Sequence, residues 1–107
     1  MAQAPLATPE LKLEVTATPE ETLVRCIGKM IYTSAGALQT ELRRLLPETK
    51  RVVLDLAAMT YLDSFGLGVL AGAHLSAKRQ QHQLKIINIS PQALQLVEVT
   101  HLTYLLE

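Results

Sequence analysis

Asp63 and Ser64 stand side by side ahead of three glycines, Gly66, Gly68 and Gly72, in the run Tyr61-Leu62-Asp63-Ser64-Phe65-Gly66-Leu67-Gly68-Val69-Leu70. A serine hydroxyl can act as a nucleophile, cap a helix or accept a phosphoryl group, and its neighbours decide among these. A hydrolase nucleophile elbow needs glycine two residues before the serine, and Leu62 fills that place. No general base is evident either. His74 falls on the apolar side of a helical pattern and reads as a packed or hydrogen-bonded residue at the edge of the core, while His82 and His101 read as surface residues. Cysteine and carboxylates are absent at ligand spacing, so the sequence makes no case for a metal, and no cofactor is expected. Cys26 is the only cysteine, which excludes an internal disulfide; a lone thiol reads as a small buried apolar side chain and suits a reducing compartment. No catalysis is expected of the chain.

Two readings of Ser64 remain from the residues alone. Asp63 or Ser64 can be a plain helix N-cap. Alternatively, Ser64 is displayed at a helix start, where a phosphate would sit in the positive field of the first turn and add about −1.5 to −2 charges. The glycines need their own reason, because each costs about 1 kcal/mol relative to alanine in a helix interior. Something is expected to approach that backbone closely. Gly66-x-Gly68-x3-Gly72 also resembles a loosened dinucleotide fingerprint, which leaves weak nucleotide binding as a further reading. Against it, Gly66 lies ten residues beyond Leu56, too far for a tight strand-to-helix turn.

The elements that position this run follow from periodicity. Leu11, Leu13 and Val15 alternate with polar residues, as in a half-buried edge strand, and residues 23–27 form a second strand that stops at Gly28. Ala35, Leu38, Leu42, Leu45 and Leu46 recur at helical spacing, with Thr33 or Ser34 as N-cap and Pro47 as the stop. Val52, Val53 and Leu54 form a continuous apolar strand of the kind found in parallel sheets, and residues 84–89 repeat that character. Leu67, Leu70, Ala71, His74 and Leu75 mark the helix between them. Ser90 and Pro91 open another helix through about Thr100, and residues 104–106 are expected to add a short closing strand. If the three main strands run parallel, all three helices begin at one sheet edge, where open α/β sheets place their sites.

Bulk properties bound the rest. The 107 residues suffice for one core; 49% are apolar, and ten Lys plus Arg balance ten Asp plus Glu. Zero net charge gives no drive toward nucleic acid or anionic membrane, and no apolar run approaches the roughly 20 residues of a membrane span. Residues 1–9 lack the features of a signal peptide and are expected to be a flexible tail ahead of a single domain over residues 10–107.

Residues 52–106 resemble a STAS domain, the fold of bacterial anti-sigma factor antagonists, and Asp63-Ser64-Phe65-Gly66-Leu67-Gly68 is similar to that family's phosphorylation-site motif. Gly28 followed by Thr33-Ser34-Ala35, the strand before Ser64, and Ile87-Asn88-Ile89-Ser90-Pro91 extend the likeness. The resemblance implies an α/β fold, a single domain with a mixed four- to five-stranded sheet and helices packed on it. It implies a cytoplasmic, non-enzymatic switch that binds an anti-sigma factor serine kinase, is phosphorylated at Ser64 and thereby regulates sigma-factor-dependent transcription. The partner surface it implies comprises Asp63, Phe65, Gly66, Leu67 and Gly68, with Met30, Tyr32 and Thr33 beyond the second strand and Ser90 at the last helix. STAS domains also serve as subunits of signalling assemblies and lipid-transporting ABC systems, where the serine need not be phosphorylated.

Overall fold

The computed structural model describes residues 9–106, so the expected tail over residues 1–9 lies outside the described residues except for Pro9. Strand β1 (Leu11–Ala17) pairs antiparallel with β2 (Thr22–Met30), in register from Leu11 opposite Gly28 to Ala17 opposite Thr22. Only Leu11 and Leu13 of β1 are buried, as its alternation requires of an edge strand with one wet face. Gly28 adopts φ +110°, and a Cβ there would collide with the Glu10 carbonyl, so this position needs glycine.

Helix α1 (Ala35–Leu45) continues into a short 3-10 turn (Leu46–Glu48) carrying Pro47, which cannot extend an α-helix. Strand β3 (Arg51–Asp55) then pairs parallel with the first half of β2, Thr22 opposite Val52 through Arg25 opposite Asp55. The periodicity did not reveal the next element: a four-residue strand β4 (Met59–Leu62) that runs parallel to the second half of β2, with Gly28 opposite Met59 and Met30 opposite Leu62. It fills the interval between Leu56 and the glycine run.

Helix α2 (Ser64–Arg79) leads to β5 (Gln83–Ile87), which pairs parallel with β3. Helix α3 (Pro91–Val99) follows. The sheet therefore has five strands in the order β1-β2-β3-β5, with β4 beside β2, and is mixed because β1 alone is antiparallel. The α/β fold with helices on a mixed sheet is as expected. Residues 104–106, expected as a strand, belong instead to a 3-10 turn (Thr103–Leu106); Leu105 plugs into the core while Tyr104 stays exposed beside His74.

Val24, Cys26, Leu38, Leu42, Val52, Leu54, Leu67, Leu70 and Val97 lie in one core joining sheet and helices. Because β2, β3, β4 and β5 are parallel, α1, α2 and α3 all start at their carboxyl edge. That edge carries the site.

Candidate functional site

The start of α2 is built around Asp63. Its backbone is extended, its Oδ1 accepts from the Gly66 N–H at 2.8 Å, and its carbonyl accepts from the Leu67 N–H at 3.0 Å. These contacts make Asp63 the N-cap, a role in which a carboxylate also meets the positive end of the helix. Its second oxygen, Oδ2, accepts from the Tyr32 N–H at 3.1 Å, and its own N–H donates to the Met30 carbonyl at 3.2 Å. Asp63 thus ties the loop after β2 to the start of α2, and both carboxylate oxygens are occupied inside the protein.

Ser64 comes one position later, as the first residue of α2, and is exposed. With Asp63 acting as the cap, the Ser64 hydroxyl has no hydrogen-bond partner among the described residues. The first N–H groups of any helix lack intrahelical acceptors, so the hydroxyl stands where an added anion would find donors and a favourable dipole. Phe65 is 55% exposed, with Tyr32 at 71% and Tyr61 at 48%. Among the described residues they are three of seven large apolar side chains left exposed: Tyr61 lies two residues before Asp63, Phe65 follows Ser64, and Tyr32 is joined to Asp63 through its N–H. Tyr61 was not singled out by motif reading. The four-residue strand ending at Leu62 is buried only at its two end residues, a pattern with no alternation to mark Tyr61.

Gly66 is buried because α2 begins on top of the end of β2. A Cβ on it would meet the Met30 carbonyl at far below contact distance and the Leu62 Cδ1 at 2.8 Å. Gly68 and Gly72 differ: both are exposed, and a Cβ on either meets nothing within 4 Å. The close approach expected of all three glycines is therefore internal at Gly66 alone. Gly68 and Gly72 also lie well inside α2 rather than in a strand-to-helix turn, so the geometry of a dinucleotide fingerprint is not formed.

Other expected site residues divide by burial. Met30, at 0% exposure, and Leu67, at 2%, face the core, so their side chains cannot touch a partner; they hold Gly66 and the cap in place. Thr33 is exposed, as a contact residue must be. Ser34 occupies the N-cap position of α1 without capping it: its buried hydroxyl donates to the Lys29 carbonyl at 2.6 Å and accepts from the Ile31 N–H at 3.0 Å, closing the turn after β2. Ser90 caps α3 through the Ala93 N–H at 3.1 Å. His82, expected at the surface, is half-buried with Nδ1 at 2.6 Å from the Leu46 carbonyl, a bond that joins the turn before β5 to the end of α1. His74 packs edge-on against Tyr104, with ring centres 5.4 Å apart, as a residue at the margin of the core. Cys26 is sealed in the sheet, where burial and, secondarily, the Asp55 carboxylate push its thiol up to about 12. A thiol so protonated is not a nucleophile at neutral pH.

Among the described residues no helix is long and apolar enough to cross a membrane, and no cluster of His, Cys, Asp or Glu could hold a metal ion.

Comparison with known proteins agrees with this fold. The anti-sigma-B factor antagonist of Bacillus subtilis is 28% identical over 92 residues, covering 86% of this chain and 84% of that protein. The protein of that name from Listeria monocytogenes is 37% identical over 54 residues, 50% of this chain and 47% of the relative, so this match spans about half the relative's length. The fold matches the anti-sigma factor antagonist SpoIIAA in its unphosphorylated form with a TM-score of 0.76 at 15% identity, over 91% of this chain and 85% of that one. Residues 12–106 match the STAS domain family, and the chain belongs to it.

Proposed function

We propose that this chain is an anti-sigma factor antagonist: in the cytoplasm it docks on an anti-sigma factor serine kinase through the surface around Ser64, and phosphorylation of Ser64 ends that docking. The observation that carries the reading is a spare, exposed hydroxyl at the first position of α2, next to the exposed Phe65 and following the Asp63 cap, which ties this helix start to the segment carrying the exposed Tyr32. The curated relatives' names support the same class. Exposed aromatic side chains of this kind are what protein interfaces use as anchors. Transfer of the γ-phosphoryl group of ATP to Ser64 Oγ would release ADP and place a dianion within that footprint, next to the Asp63 carboxylate. The fold would survive, since the phosphate projects outward at a helix N-terminus. A partner that buries the aromatics would have to desolvate the new charge, and binding weakens.

The test is incubation with the cognate kinase and ATP, followed by intact mass measurement and a binding titration. Gain of one phosphoryl group by the wild type and none by Ser64→Ala, with loss of binding on modification, is the expected result. Ser64→Asp should fold normally and bind at least about tenfold more weakly, or ~1.4 kcal/mol. A second reading rests on the aromatic patch, which needs no phosphate to be adhesive: the chain would then be a constitutive STAS subunit of a signalling assembly or an ABC-type lipid transporter. Complex formation that persists while the mass stays unchanged would favour that reading.

A further inference from the structure

Between α1 and α2 lies a groove of about 340 Å³ that runs along α2 from Val69 to Gln80. Ser64 and Arg79 are the two ends of one 16-residue helix, about 23 Å apart along its axis, so the groove's far end is remote from the switch surface. Leu42 and Leu46 on one side and Val69 and Ala73 on the other give it an apolar lining, with the polar side chains of Gln39, Ser76 and Gln80 beside them. Its rim is cationic. Arg43 in the last turn of α1 and Arg79 in the last turn of α2 both line it, and no carboxylate does.

The charges of these two arginines are uncommitted. Of the five arginines, Arg25 pairs with Glu14 at 3.4 Å, Arg44 with Glu41 at 2.7 Å and Arg51 with Glu21 at 3.3 Å. Arg43 and Arg79 have no carboxylate partner among the described residues, and they are the two that border the groove. Basic residues in a last turn also complement the helix dipole. At α2, however, the carbonyls of Ser76, Ala77 and Lys78 are already satisfied: Gln80 donates to Ser76 and Ala77, Gln81 to Lys78, and His82 to Ala77. Arg79 is not needed there as a cap.

We propose that this groove binds a free, single-chain carboxylate amphiphile of the fatty-acid class, with the carboxylate between Arg43 and Arg79 and the alkyl chain along Leu42, Leu46, Val69 and Ala73. The volume lies in the range of small-molecule sites, which begin at about 300 Å³. A docked protein helix would need a longer apolar strip than the surroundings provide, since Leu75 is the only one of the seven exposed large apolar side chains that borders the groove. Planar guanidinium groups suit a carboxylate head, and the tail adds affinity of about fourfold for each methylene that leaves water. Gly72 also lines the groove, and a Cβ on it would meet nothing within 4 Å, so the wall at that point is open space rather than packed protein.

The test is an amide NMR titration of the full chain with dodecanoate below its micellar concentration, alongside hexanoate, dodecyl maltoside and dodecyltrimethylammonium. Dodecanoate should saturate at one per chain, shifting amides of residues 42–46 and 69–80; hexanoate should bind at least about tenfold more weakly. The cationic amphiphile should leave those amides unmoved, and the neutral one should bind about tenfold more weakly than dodecanoate. Replacing both arginines, Arg43→Gln with Arg79→Gln, should weaken dodecanoate about fivefold to tenfold. Gly72→Leu should fill the groove and abolish binding, while the spectrum elsewhere reports an intact fold. Equal binding of the cationic amphiphile, indifference to the arginine pair, or shifts centred on Phe65, Tyr32 and Tyr61 would each overturn the proposal. So would shifts of the groove amides with protein concentration alone, which would make a second copy of the chain the occupant. The kinase assay at Ser64 decides none of these outcomes, so this proposal and the switch reading fail separately.

Discussion

Two helices of this domain begin with a serine at the same edge of the sheet, and they use it in opposite ways. At α3, Ser90 is itself the cap: its hydroxyl accepts from the Ala93 N–H, Pro91 takes the first helical position, and the side chain is half-buried. At α2, the capping duty has passed back one residue to Asp63, whose two oxygens reach Gly66 and Tyr32. Ser64 is left at the first helical position with an exposed hydroxyl that the fold does not use. A residue whose local structural task is done by its neighbour is free to carry a modification without cost to the fold. A capping serine is less free, because its oxygen is already engaged by an N–H of the first turn, and a bulky phosphoryl group would have to rebuild that contact.

The strongest way to break this contrast is at the glycines on which the α2 start depends. Gly66→Ala should destabilise the domain by about 2–3 kcal/mol, since its Cβ would have to displace the Met30 backbone and the Leu62 side chain. Gly68→Ala, two residues on and open to solvent, should raise stability by about 0.5–1 kcal/mol through helix propensity. Urea denaturation of the pair measures both, and equal effects would mean that the glycines act as a set. Next in size is Asp63→Ala, which loses the cap at Gly66 and the charge-assisted bond to Tyr32 for about 2 kcal/mol. It should also loosen the Tyr32 loop, visible as faster amide exchange there than in β3.

The comparison is sharpened by treating the two serines alike. Ser90→Ala should cost about 1 kcal/mol, the usual value of a lost cap, whereas Ser64→Ala should change stability by less than about 0.5 kcal/mol. Thermal melts at one pH suffice. A matching loss at both positions would show that the Ser64 hydroxyl has a structural bond after all.

Much of this arrangement was legible in the sequence because it depends on patterns longer than a turn. Apolar patterning located β1, β2, α1, β3, α2 and β5, the Ser90-Pro91 start signal located α3, and the Asp63-Ser64 pair ahead of the glycines marked the start of α2. Strand β4 was not legible: with Met59 and Leu62 buried and Thr60 and Tyr61 exposed, its pattern matches neither alternation nor a continuous apolar run. The resulting gap after Leu56 had no visible cause, and Tyr61 was left without a role. The division of labour among Asp63, Ser64 and Ser34 was also hidden, because any of the three types can cap and only tertiary partners decide which does. Residues 104–106 are apolar enough for a strand, but they lie near β5 as a 3-10 turn without joining the sheet, and Leu105 is consumed by the core.

The smallest expected effect concerns what holds the third loop of the same edge. Asp55, the last residue of β3, accepts from the Asn88 side-chain amide at 2.9 Å and from the Ala57 N–H at 3.0 Å through one oxygen, linking the ends of β3 and β5. The Asn88 amide first, then the Ala57 N–H, holds the Asp55 carboxyl below its ordinary value. A carboxyl whose folded value is depressed contributes stability above the unfolded value of about 3.9, and that contribution fades as pH falls through the folded value. Wild type should therefore be slightly more stable than Asp55→Asn at neutral pH, and the gap should close as the pH is taken below the unfolded carboxylate value. Because the group is largely solvated, the neutral-pH gap should be much smaller than that of Asp63→Ala. A gap that stays constant from neutral pH into the acid range would show that charge is irrelevant at Asp55, and that its hydrogen bonds alone tie the two loops.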